Sequence, residues 1–145
     1  MEIAVDGWRA SLGAWQAVRN VPREQLPQLT PEQQTVARKM GIPEEDYARS
    51  AMAGERTREA LLQKTQRLAH ALGERIRRSG LAVTVNRVLL RTIEQRFDVQ
   101  LQVNGRTVPL TIEESIVDDY FDSGSASAEE SLGRILDRAL ASLTA

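Results

Sequence analysis

Between Phe97 and Ile112 the residue order leaves little freedom. Phe97, Val99, Leu101 and Val103 alternate with Asp98, Gln100 and Gln102, and Asn104-Gly105 follows at once. Alternation at a period of two marks a strand with one buried face. Asn-Gly is the strongest short hairpin signal, because both central residues of a type I′ turn need a positive φ. A two-residue turn pairs Leu101 with Val108, Val99 with Leu110 and Phe97 with Ile112, all on one face. Gln102–Thr107 and Asp98–Thr111 then fall on the other. A slip of one residue would turn every apolar side chain to the wrong face, so turn chemistry and hydrophobic pattern predict the same register. Pro109 has no amide hydrogen for a ladder, which predicts that the second strand lies at a sheet edge.

A lone hairpin is marginal in water and needs a further strand or a helix. Residues 82–94 can supply it. Val83-Thr84-Val85 reads as strand, while Val85, Val88, Leu89, Thr92 and Ile93 fit a helix as well. The hairpin's need for a partner favours a strand within 82–93, giving a three-stranded antiparallel sheet.

Upstream the pattern is helical. Trp8, Leu12, Trp15 and Val18 share one face of a short segment, and Pro22 and Pro27 punctuate an extended linker over Val21–Leu29. Thr30-Pro31-Glu32-Gln33 combines a capping threonine, a proline at the first helical position and a glutamine that completes a capping box. That helix should end at Met40-Gly41. Pro43 starts another, with Glu44, Glu45 and Asp46 in its first turn, where the helix dipole favours negative charge. Helical pattern then continues to Ser79-Gly80, with a break or kink expected around Gly54. Its apolar stripe is Leu61, Thr65, Leu68, Leu72 and Ile76, widened by Leu62 and Ala69. A threonine in the seam and about three heptads fall short of a coiled coil, so this helix is either the spine of the fold or an oligomer contact.

After the hairpin, Thr111 with Glu114 suggests a capping box opening a short helix that turns Ile116, Val117, Tyr120 and Phe121 inward. Ser123-Gly124-Ser125 reads as a break. Ser127 with Glu130 then suggests the cap of a last helix, with Leu132, Ile135, Leu136, Leu140 and Leu143 on its face. The whole predicts an α+β fold: a helical N-terminal half with a long central helix, a small antiparallel β-sheet built on the 97–112 hairpin, and two C-terminal helices. Residues 1–29 read as a tryptophan-containing segment with a proline-containing linker, and residues 30–145 as a single α+β domain.

Composition removes several chemistries. The chain has no cysteine and one histidine among 145 residues, so disulfides, thiolate metal sites and cysteine nucleophiles are excluded and histidine-rich zinc sites nearly so. No stretch approaches the length of a membrane span, and the first residues lack the basic and apolar regions of a signal peptide. A cytoplasmic protein is expected, without membrane contact. A phosphate-binding glycine loop, a nucleophile elbow and an HExxH motif are all missing from the sequence. His70 falls on the Gln63, Arg67 and Glu74 side of the central helix, where solvation is expected. Asp118 and Asp122 could form a carboxylate pair, but no partner for acid–base work is recognisable. Placing Gly124 at the sixth position of a calcium loop sets Asp119 first and Glu130 twelfth. Phe121 then occupies the third position, where an oxygen ligand is required. The chain is therefore expected to be non-enzymatic, with no cofactor and no metal.

The net charge of −1 conceals two blocks. Residues 54–80 hold 7 basic and 3 acidic side chains, and residues 81–112 hold 4 and 2. Residues 113–145 hold 2 and 8. The acidic C-terminal helices could lie against the basic central helix. Alternatively the basic stretch is a phosphate footprint that the acidic region screens, with Arg56, Arg58, Lys64, Arg67, Arg75, Arg77 and Arg78 as contacts.

Val36-Ala37-Arg38-Lys39-Met40-Gly41-Ile42-Pro43 and the residues on to Arg49 resemble the helix-turn-helix pattern. Ala37 would be its small residue, Gly41 its turn, and Ile42 and Tyr47 its apolar positions. The resemblance implies a DNA-reading second helix, but Glu44, Glu45 and Asp46 stand where phosphates would approach. The favoured function is a non-enzymatic protein-interaction, adaptor or assembly module with Trp8, Leu12 and Trp15 as partner-binding residues, since tryptophan is enriched at interface hot spots. Homo-oligomerisation through the 55–79 helix is possible in this reading. A nucleic-acid-associated protein is the alternative.

Overall fold

The computed structural model describes residues 1–7, 10 and 12–144. By its contacts the chain divides into two compact units, Met1–Gly7 with Leu61–Ala145, and Trp8–Ala60. The elements in order are β1 (Glu2–Asp6), α1 (Leu12–Arg19), α2 (Pro31–Met40), α3 (Glu44–Ser79), β2 (Thr84–Arg91), β3 (Arg96–Val103), β4 (Arg106–Glu113), α4 (Glu114–Asp118) and α5 (Ala126–Thr144). This is an α+β fold with a long central helix, a small sheet and two C-terminal helices, as the sequence predicts.

In the first unit the hairpin takes the expected register. Leu101 opposes Val108, Val99 opposes Leu110 and Phe97 opposes Ile112. Asn104 and Gly105 sit at φ 49 and φ 79, the left-handed pair that a type I′ turn requires. Residues 84–91 form the third strand, antiparallel to β3. The strand order is β1-β2-β3-β4, so Pro109 does lie on an edge strand.

The expected three-stranded antiparallel sheet is corrected by β1, which pairs parallel with β2, Ile3 beside Val88 and Val5 beside Leu90. The sheet is four-stranded and mixed. Ile3 and Val5 alternate with Glu2, Ala4 and Asp6, so the strand turns its apolar side to the core. The charges on its other side face Arg87 and Arg91 at 3.6 and 3.7 Å. Thr92 ties the end of β1, its hydroxyl donating to the Asp6 carbonyl at 2.8 Å.

The core of this unit lies on one face of the sheet. Phe97, Leu90, Leu101 and Ile112 are fully buried and meet Leu68, Leu72 and Ile76 of α3, with Leu132, Leu136 and Leu140 of α5. Each such side chain contributes about 1.5–3 kcal/mol when taken out of water. Thr65, also fully buried, is tolerated because its hydroxyl donates to the Leu61 carbonyl at 2.7 Å within its own helix.

Three local expectations are corrected. The helix shows no interruption at Gly54, since α3 runs unbroken from Glu44 to Ser79. Thr111 caps nothing; it stays in β4 opposite Asp98, and α4 begins after Glu113 without a side-chain cap. The strand continues to Glu113, so the helix starts two residues beyond the turn that a Thr111 cap would serve. The last helix is capped by Ser125 rather than Ser127, the Ala128 amide donating to the Ser125 hydroxyl at 3.3 Å.

In the second unit the Thr30–Gln33 capping box forms in both directions, and Gly41 ends α2 at φ 68. The linker holds one 3-10 turn, Arg23–Gln25, and is not extended throughout. Val18, Ala37, Ala48 and Ala53 are buried. Arg49 donates to the carbonyls of Val18 and Val21 at 3.4 and 2.8 Å and pairs with Glu45 at 2.7 Å, which fixes the end of α1.

Candidate functional site

Trp8 lies outside the described residues, as does the side chain of Leu143. On α1, Val18 is fully buried while Leu12 and Trp15 on the same predicted face are 75% and 40% exposed. The helix is therefore anchored at its C-terminal end and presents apolar surface at its start.

The seven candidate phosphate contacts do not form a free cationic stripe. Lys64 pairs with Glu114 at 2.7 Å and Asp118 at 2.5 Å. Arg75 reaches Glu129 at 3.3 Å, Arg77 holds Glu74 at 2.7 Å, and Arg58 lies 4.0 Å from Glu55. Arg67 rests over the Phe121 ring, 4.3 Å from its centroid. Arg56 and Arg78 are exposed on the helix surface. Lys64 and Arg75 thus join the basic block directly to the acidic one, and the cancelling charges are neighbours in one unit. Burial of Lys64 would by itself lower its pKa, but hydrogen bonds and charge from Asp118 and Glu114 outweigh that and raise it above the ordinary lysine value.

The carboxylates considered for chemistry are also accounted for. Asp118 holds Lys64, and Asp122 is exposed. Asp119–Ser123 is helical and Glu130 lies within α5, so the stretch between them is not a single ligand loop. Among the described residues, no three His, Cys, Asp or Glu side chains group closely enough to hold a metal ion. No described helix is long and apolar enough to cross a membrane.

The sequence reading missed one concave site. Directly after α4 the helix widens into a π turn, Asp119–Ser123, which Gly124 closes at φ 59. On an α-helix consecutive residues point about 100° apart. Here Tyr120 and Phe121 both reach α3, their rings 5.1 Å apart and edge to face at 71°. Phe121 lies under Arg67, and Tyr120 is 5.9 Å from the Arg75 guanidinium. Together with Ala71 these rings floor a cleft of about 500 Å³ along the exposed flank of α3, rimmed by Gln63, Gln66, Arg67 and His70. His70 is exposed, as expected, but at the edge of this cleft. The available signal was a pair of adjacent aromatics on the inward side of a predicted helix, but nothing in the sequence says which element they meet.

Protein-family models, curated proteins and solved structures were all compared with this chain, and none matches.

Proposed function

We propose that this protein is a non-enzymatic, cytoplasmic protein-interaction module that binds its partner through the exposed start of α1. The observation that carries this is the pairing of a fully buried Val18 with Leu12 and Trp15 at 75% and 40% exposure on one short helix. An anchored helix with exposed leucine and tryptophan is a preorganised binding element, because little further ordering is needed on association. A partner with an apolar groove would take this face. Affinity capture with the full chain, compared with a Leu12→Ser/Trp15→Ser double variant, tests it. Loss of specific capture at an unchanged melting temperature is expected; identical capture by both proteins overturns the reading.

A nucleic-acid role has less support, because four of its seven candidate cations already hold carboxylates. Retention on heparin that collapses steeply as salt rises above about 50 mM would favour it instead. Oligomerisation through residues 55–79 is likewise less supported, since Leu68, Leu72 and Ile76 lie in the core of the chain's own first unit.

A further inference from the structure

Three features of the cleft between α3 and the π turn point to a ligand. The first is the π turn itself. Such turns are rare and are frequently found at functional sites, and this one brings two consecutive aromatic rings to the cleft floor. The second is size: about 500 Å³ lies within the range of small-molecule sites, which are apolar with few polar groups. The third is charge. Lys64, Arg75 and Arg77 on the same helix each hold a carboxylate, yet Arg67 at the rim makes no ion pair among the described residues and lies over the Phe121 ring. A guanidinium stacked on a ring keeps its in-plane N–H donors available to a planar carboxylate. None of the residues lining the cleft is acidic.

We propose that this cleft binds a small apolar carboxylate, its hydrocarbon body on Tyr120, Phe121 and Ala71 and its carboxylate on Arg67. Gln63, Gln66 and His70 supply further polar groups at the rim. The site is independent of the α1 reading, because all its residues belong to the other unit.

A titration of the full chain, isotope-labelled for NMR, with 3-phenylpropionate and with the uncharged 3-phenylpropionamide tests it. For an 11-atom ligand in an open cleft the expected Kd is on the order of 1–10 mM. Saturable shifts should centre on Gln63–Ala71 and Asp119–Ser123. The amide should bind about tenfold more weakly, in line with one lost charge-assisted hydrogen bond. Arg67→Gln should reduce carboxylate affinity to the level of the amide. Equal binding of the two compounds, unchanged affinity in Arg67→Gln, shifts centred elsewhere or no saturable shift would each overturn the proposal. So would a tetrapeptide ending in phenylalanine that binds tenfold more tightly than 3-phenylpropionate, because the site would then be one for a protein terminus. Comparing the two compounds on the unaltered protein needs no variant, so the test does not depend on Arg67→Gln folding.

Discussion

Lys64 lies 2.5 Å from Asp118 and bridges it to Glu114 at 2.7 Å, joining the basic stretch of α3 to the acidic start of the C-terminal region. Lys64→Met should cost about 1–2 kcal/mol, because two half-buried carboxylates lose their cation. The pH dependence has a definite sign. The lysine pKa is raised in the folded protein, so its stabilisation is fully present below the unfolded value of about 10.4 and fades as pH rises through the folded value. The stability gap between wild type and Lys64→Met, measured by urea unfolding, should stay constant from about pH 7 to 9 and narrow only above about 10.4. A gap already closing at neutral pH would contradict this assignment.

The hairpin turn offers a sharper local test. Gly105 occupies φ 79 with open space where a Cβ would stand, so the cost of a side chain there is conformational rather than steric crowding. Gly105→Ala should lower stability by about 1–2 kcal/mol. A substitution without effect on the melting temperature would mean the turn adopts another geometry.

Gly54 should respond in the opposite direction. It sits inside an unbroken α3 and nothing lies within 4 Å of the position its Cβ would take. Gly54→Ala should therefore raise stability by about 0.5–1 kcal/mol, chiefly by restricting the unfolded chain. Calorimetry that found a lower melting temperature would show that the helix needs a glycine hinge there.

Removing residues 1–7 should be costly even though the segment is short. It would delete β1, strip its ladder from β2 and uncover the core contacts of Ile3 and Val5. A loss of about 2–4 kcal/mol is expected. Leu12→Ser/Trp15→Ser, by contrast, should stay within about 1 kcal/mol of wild type, because both side chains are exposed. Equal stability of the truncated and full-length chains in chemical denaturation would remove β1 from the folded core.

Much of the fold was legible because its signals are local. The 97–112 register follows from an alternating run and an Asn-Gly turn, and the Thr30–Gln33 box closes within one helical turn. The apolar stripe of α3 was legible for the same reason: Leu68, Leu72 and Ile76 repeat at helical spacing and are buried. Where a local signal competed with a distant one, sequence reading failed. Thr111 had the spacing of a cap, but its place opposite Asp98 kept it in the strand.

The sequence by itself determined the main helices, the hairpin register, the core stripe of the central helix and the absence of thiol chemistry, since each depends on composition or on residues a few positions apart. Only the tertiary structure decided three things. Glu2–Asp6 became a strand because β2 offered it an edge far along the chain. The opposite charge blocks became neighbours because packing brought α4 and α5 against α3, placing Glu114, Asp118 and Glu129 within reach of Lys64 and Arg75. Tyr120 and Phe121 came to floor one cleft because that segment packs against α3, where Arg67 and Arg75 meet their rings. All three depend on pairings between residues distant in sequence, which no local periodicity can specify.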